Sequence, residues 1–327
     1  MKIWYDALTG KQVRYGVAIA RALRKHGHEV VLTTRRHPDT VPLAKHLNEE
    51  FVAVGRYEPE SLLTRLRNGT RRQLQFCKLF EKNQPDLAIS HGSADLCRVA
   101  FGLGKPIITT LDTPYAAAPN RLTLPLSNYI VASKAIPKDK IEHYNVDGQI
   151  IDFDGVDEVA WIKDFKPNAK YAFGKPLIAI RPLEEKAAYN KAKMDMLSLA
   201  KKLTELGKVV YLSRYQRKTV KKLIVPKFVD SASLVAQADL FIGVGGTITR
   251  EAALQGTPAI TIKVFSDQQV NDLLVKKGFP IYETSPADVM KLAKELIGKK
   301  RNVKDLLGKL QNPADIIADI VEKVGNS

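Results

Sequence analysis

The chain has 327 residues, 45% hydrophobic and 26% charged, which is enough for two ordinary domains with sizeable cores and has the balance of a soluble globular protein. No apolar run approaches the roughly 18 residues that span a bilayer, and the opening Met1-Lys2-Ile3-Trp4-Tyr5-Asp6 enters a strand with no signal-peptide core, so a cytoplasmic protein, at most peripheral to a membrane, is expected. Lysine and arginine number 51 against 35 acids, a formal charge of +16, which leaves two readings: a solvated basic surface, or anionic partners such as nucleotides, phosphate-rich acceptors or an acidic membrane surface.

The elements alternate. Residues 2–5 predict a strand, and 13–26 a helix with Val13, Val17, Ala20 and Leu23 on one face. Gly27 stops that helix and 29–33 is the next strand. Helices near 42–49 and 61–83 enclose a short strand at 51–54. Short buried strands follow at 86–90, 106–110, 129–132 and 150–153. A second series opens near Lys175 with a strand at 177–180, a helix at 187–206 and a strand at 209–212. Further strands fall at 228–229, 240–243, 259–262 and 281–282, and helices at 286–297, 303–310 and 313–324 close the chain. Apolar strands spaced by helices imply parallel βαβ units with right-handed crossovers. Residues 154–168 lack periodicity and read as a linker, dividing the chain into 1–155 and 156–327. The expected class is α/β, with two Rossmann-like, doubly wound parallel sheets facing a cleft and ligands at the carboxyl ends of the strands.

One segment carries most of the chemistry. Leu240 to Gly243 reads as a buried strand, Gly245-Gly246 as a turn and Thr247 to Leu254 as a helix, followed by Gly256-Thr257-Pro258. A glycine turn entering a helix presents free N–H groups at the positive end of the helix dipole, where a phosphate binds. Thr247 is placed to cap that helix and touch phosphate. Glu251, one turn on, is placed to accept hydrogen bonds from sugar hydroxyls. A purely geometric use of the glycines is the alternative. The turn lacks the Gly-Lys-Ser/Thr of a P-loop, and GxGxxG is absent after the first strand, which argues against NTP hydrolysis of that type and against a dinucleotide oxidoreductase. Cys77 and Cys97 form no CxxC pair and read as small buried hydrophobes; no His/Cys cluster has ligand spacing, so neither metal nor cofactor is expected. No basic cluster is interleaved with aromatics, which disfavours nucleic acid.

The order Gly245-Gly246-Thr247-x-x-Arg250-Glu251-Ala252-Ala253-x-x-Gly256-Thr257-Pro258, followed by Phe265-Ser266-Asp267-Gln268-Gln269-Val270-Asn271, resembles the nucleotide-sugar half of GT-B glycosyltransferases. The peptidoglycan N-acetylglucosaminyltransferases and the non-hydrolysing UDP-N-acetylglucosamine 2-epimerases are similar. With Ser90-His91-Gly92-Ser93, Asn120-Arg121 and Arg181-Pro182, nearly the full length looks like an uncharacterised archaeal and bacterial family of this fold. The resemblance implies that Gly245, Gly246 and Thr247 hold a diphosphate, Glu251 the ribose, Asp267, Gln268 and Gln269 the donor sugar, and residues 228–231 the base. Amide and carboxylate side chains suit sugar hydroxyls, each of which donates and accepts.

Arg181 ends a strand and is placed either to clamp a phosphate or to pair with Glu184 or Glu185. Arg214 has a similar place. In the first domain His91 and Asp112 follow strands, and each reads as an acceptor-side base or as a helix-cap or turn residue. Asp6 shares that ambiguity. The turn after the first strand and the segment Arg181 to Lys186 depart from the epimerase pattern, which disfavours that catalytic set. The expected activity is metal-independent transfer from a UDP-sugar to an unknown acceptor. The alternatives are a nucleotide-sugar epimerase or hydrolase, and a non-enzymatic basic binder of nucleic acid or an anionic membrane surface.

Overall fold

The computed structural model describes residues 1–58, 60–182, 195–213, 220–263 and 268–326. They form two compact units, one of residues 1–161 with 311–327 and one of residues 162–310.

The first unit runs β1 (Lys2–Ala7), α1 (Gly10–Lys25), β2 (Glu29–Arg36), α2 (Thr40–His46), β3 (Val52–Arg56), α3 (Leu62–Leu79), β4 (Leu87–Ser90), α4 (Ala94–Gly102) and β5 (Ile107–Leu111). It continues with α5 (Ala117–Thr123), β6 (Tyr129–Ser133), α6 (Asp139–Glu142), β7 (Gln149–Phe153) and the short α7 (Val159–Ile162) at its border. The sheet is parallel in the order β3-β2-β1-β4-β5-β6-β7. Strand order reverses between β1 and β4, and that reversal is where a doubly wound sheet opens for ligand. Alternation along β1 sorts the core onto two faces. Ile3, Tyr5 and Ala7 point into one cluster with Val13, Ile19 and Leu23, and Trp4 points into the other with Phe76, Phe80 and Leu96.

The second unit runs β8 (Leu177–Ile180), α8 (Met196–Leu203), β9 (Lys208–Tyr211), α9 (Ser231–Gln237), β10 (Leu240–Gly243), α10 (Thr247–Leu254), β11 (Ala259–Ile262), α11 (Gln269–Lys276), β12 (Ile281–Thr284), α12 (Val289–Leu296) and α13 (Lys304–Gly308). Its sheet is parallel in the order β12-β11-β10-β8-β9, so its reversal lies between β8 and β10. The class expected from the sequence is the one observed: two parallel α/β units.

Three expectations are corrected. The last helix, α14 (Pro313–Gly325), belongs to the first unit, not to the second half of a division at 155/156. Its Ala314, Ile317, Ala318 and Val321 complete the cluster around α1. Residues 228–229 form no strand: Ile224 instead bridges Val210, Phe228 is 40% exposed and Asp230 caps α9. Of the expected helix 187–206, α8 is the described part, and 183–194 lie outside the described residues. Cys97 is buried as expected, but Cys77 is exposed, because α3 turns only Arg72 and Phe76 inward. No described helix is long and apolar enough to cross a membrane.

Candidate functional site

In the first unit the sheet reversal gathers four ionisable side chains. Thr9 caps α1, its hydroxyl accepting from the Gln12 amide, so Lys11 falls in the first helical turn. A cation there opposes the helix dipole. It is held by two carboxylates: the Lys11 ammonium bridges Asp112 and Asp157, with 2.7 Å to Asp157. Asp112 follows β5, and Asp157 sits in the loop after β7. His91 follows β4, and its Nδ1 shares a 2.6 Å hydrogen bond with Thr110. Its Nε2 lies 3.5 Å from Asp112 and its Nδ1 4.0 Å from Asp157. Gln12 ties the two sides of the reversal together, donating to the His91 carbonyl at 2.7 Å and accepting from the Leu8 amide at 2.5 Å.

The helix-cap alternatives for the two candidates are not realised: Ser93 caps α4 and Ala116 precedes α5, so neither His91 nor Asp112 caps a helix. Tyr15, one turn beyond Lys11, stands edge-on to the His91 ring at 5.7 Å. Burial, and then the charges of Asp157, Tyr5, Glu158 and Asp112, hold its phenol well above the usual 10.0. The Tyr5 phenol is raised by burial and then by Asp157 and Asp6. Neither hydroxyl has a hydrogen-bond partner among the described residues. One histidine nitrogen and two carboxylate oxygens of His91, Asp112 and Asp157 lie within 4.8 Å of one another, a spacing that suits a cation. The Lys11 ammonium already bridges two of the three, Asp112 and Asp157.

Asp6 is a structural group. It accepts from Thr33 at 2.7 Å, from Ser93 at 2.6 Å and from both terminal nitrogens of Arg72 at 2.8 and 2.5 Å, which saturates both oxygens. Arg72 also donates to the Val54 carbonyl and pairs with Asp95. Burial pulls its guanidinium down, and the Asp6 carboxylate more than offsets this, leaving it raised.

In the second unit the reversal places β8 beside β10. Gly245 and Gly246 have φ of +90° and +110°, values closed to residues with a side chain, and α10 starts at Thr247 with no side-chain cap. Thr247 is thus the first helical residue and not the cap expected from the sequence. No side chain caps the amides entering α10, and uncapped N–H groups at a helix start suit an anion. Gln268 holds the turn, donating to the Val244 carbonyl at 3.2 Å; Asn271 donates to Gln268 at 2.6 Å, and Arg250 to Asn271 at 3.3 Å. Gln269 opens α11 and is half-buried, while Asp267 lies outside the described residues. Glu251 is fully buried and accepts from the Ser231 hydroxyl at 2.7 Å. Arg181, half-buried at the end of β8, donates from Nη1 to the Leu212 carbonyl at 2.8 Å, while its amide bonds Ile242 of β10. Its alternative partners Glu184 and Glu185, and Arg214, lie outside the described residues. Lys11 and Asp157 are absent from the sequence reading; a lysine opposing a helix dipole was the signal available for the first.

Two parallel α/β units with these strand orders define a GT-B fold. Residues 1–326 match the family described as "Protein of unknown function (DUF354)", and the chain belongs to that family. An uncharacterized protein of Methanocaldococcus jannaschii is 27% identical over 321 residues, covering 93% of this chain and 94% of that one. The UDP-GlcNAc 2-epimerase of Neisseria meningitidis, solved with UDP-GlcNAc, has the same fold with a TM-score of 0.70, 15% identity and 100% coverage of each chain. The spinosyn forosaminyltransferase SpnP is similar too, with a TM-score of 0.64, 19% identity and 99% coverage of each chain. These structural likenesses are of fold.

Proposed function

We propose that the chain is a glycosyltransferase that takes a UDP-sugar and works without a metal. The carrying observation is the left-handed pair Gly245-Gly246 at the sheet reversal of the second unit, with Arg181 ending the neighbouring strand. In this reading the turn amides and Arg181 hold the diphosphate, and the same groups stabilise the charge that grows on it as the anomeric C–O bond breaks. Glu251 is closed off from solvent, so the half-buried hydroxyl it orients, that of Ser231, meets the ribose. Phe228, exposed two residues before Asp230, flanks the base. Asp267 and Gln269 remain for the sugar, since Gln268 is engaged with the turn.

The acceptor hydroxyl attacks the anomeric carbon, UDP leaves with the bonding electron pair, and His91 takes the hydroxyl proton. Asp112, beside Nε2, stabilises the imidazolium so formed. The ammonium of Lys11 stands where a cation would sit on Asp112 and Asp157, which supports chemistry without a metal. A second reading, epimerisation or hydrolysis of the bound nucleotide sugar, is favoured by the two carboxylates flanking His91, which suit proton transfer with no acceptor.

Calorimetry against UDP and UDP-sugars tests the donor site. Binding is expected in the parent and lost in Gly245→Val and Glu251→Ala. No binding at millimolar UDP, or unchanged binding by Glu251→Ala, refutes the assignment. Product formed from UDP-N-acetylglucosamine alone selects the second reading.

A further inference from the structure

The helix α3 turns its polarity inside out. In its 18 residues only Arg72 and Phe76 are buried. The apolar residues that helical spacing sets on the opposite side face solvent: Leu63, Leu66 and Leu74 are 63%, 67% and 59% exposed, and Leu62 is 81% exposed. Arg67, Arg71 and Lys78 border them, and residues 62–79 contain no acid. The surface continues across the layer, because α4 packs beside α3 and α5 beside α4. These helices add exposed Phe101 and Leu122, at 58% and 59%, next to Arg98 and Arg121. The acid of this layer, Asp95, is turned to Arg72 and Gln73. The opposite layer, α1 and α14, carries no exposed large hydrophobic residue.

A soluble helix directs its leucines to the core, and contiguous exposed leucines mark a surface that meets something apolar. A strip of leucines edged by arginines, with no acid, matches the boundary between acyl chains and anionic headgroups. Nucleic acid would satisfy the arginines and leave the leucines in water, since they have no face on which a base stacks. We propose that α3, with the adjoining surface of α4 and α5, docks on an anionic lipid bilayer, the leucines inserting at headgroup depth and the arginines lying on lipid phosphates. The surface is separate from the residues assigned to donor and base, so its test is independent of the proposed transfer activity.

The test is flotation of the full chain, without donor, on vesicles of phosphatidylcholine alone and of phosphatidylcholine mixed with phosphatidylglycerol. Binding to the mixed vesicles only is expected. Arg67→Gln/Arg71→Gln weakens partitioning about 30-fold, the loss of two surface cations. Leu63→Ser/Leu66→Ser weakens it about tenfold or more at unchanged charge. Lys291→Gln/Lys294→Gln on α12 removes the same charge from the other unit and leaves binding intact. Thermal melting of each variant verifies its fold; these side chains are exposed, so parental melting is expected. The proposal is overturned if the parent does not float with anionic vesicles, if the leucine variant floats like the parent, or if the α12 variant loses as much as the arginine variant. Binding of an RNA homopolymer with the same dependence on Leu63 and Leu66 would also overturn it.

Discussion

Replacing Lys11 with methionine isolates the charge that the first unit has concentrated at its sheet reversal. The Lys11 and Asp157 side chains are 12% and 2% exposed and their charged atoms are 2.7 Å apart. At an effective dielectric constant of about 20, charges at that distance attract by about 6 kcal/mol. Desolvation of both groups offsets much of that, and Asp112, 18% exposed, is partly screened by water. Removing the cation from a buried pair costs about 3–5 kcal/mol; with this screening, about 3 kcal/mol is expected for Lys11→Met. The loss comes from the carboxylates left without a cation, so adding Asp157→Asn should return part of it, a coupling read from the double-mutant cycle. Urea unfolding followed by fluorescence suits the assay, because both tryptophans, Trp4 and Trp161, lie in the first unit. A Lys11→Met protein within about 0.5 kcal/mol of the parent would refute the electrostatic account.

Other outcomes follow from single positions. Gly246→Ala should cost about 1–3 kcal/mol through its φ of +110°, and should weaken UDP binding further, since an ideal Cβ there meets open space and no clash explains a loss; circular dichroism and calorimetry separate the two effects. Gly256→Ala should destabilise the second unit more without touching the ligand, because a Cβ would collide with the Arg301 carbonyl; unchanged thermal melting would contradict this. Tyr5 and Tyr15 keep their protons in the fold above the usual 10.0 and release them in the unfolded chain. Above about pH 10 the unfolded chain therefore binds fewer protons and stability falls as pH rises, less so in Tyr15→Phe; equal alkaline sensitivity of parent and variant would exclude this. Burial raises the Cys97 thiol to about 11 while Cys77 is exposed, so a thiol reagent at neutral pH should modify Cys77 and spare Cys97 until unfolding.

What was legible in the sequence was local. The strand, glycine turn and helix from Leu240 to Leu254 fall where periodicity and glycine place them, because the signals lie within one stretch. Gly256 was legible as a position but not as a cause: its φ of +79° and the Arg301 backbone explain it with no ligand. His91 and Asp112 were legible as residues after strands, yet their meeting depends on β4 and β5 being neighbours. Lys11 and Asp157 were not legible as partners, since 146 residues separate them and Asp157 sits in a stretch without periodicity. Glu251 was read as facing a ligand; its one-turn spacing said nothing of the Ser231 side chain that covers it.

The return of α14 to the first unit has a consequence for how the chain is made. Ile317, Ala318 and Val321 close a core whose other walls, Ile19, Ala20 and Leu23, emerge from the ribosome almost three hundred residues earlier. At about 5–20 residues per second, translating the intervening second unit takes roughly 7–30 s, and through that interval the face of α1 that packs on α14 is uncovered. The second unit, whose residues are contiguous, can finish folding first. The sheet with the buried ionisable group is thus sealed only after the second unit has been made, and α14 decides when that happens.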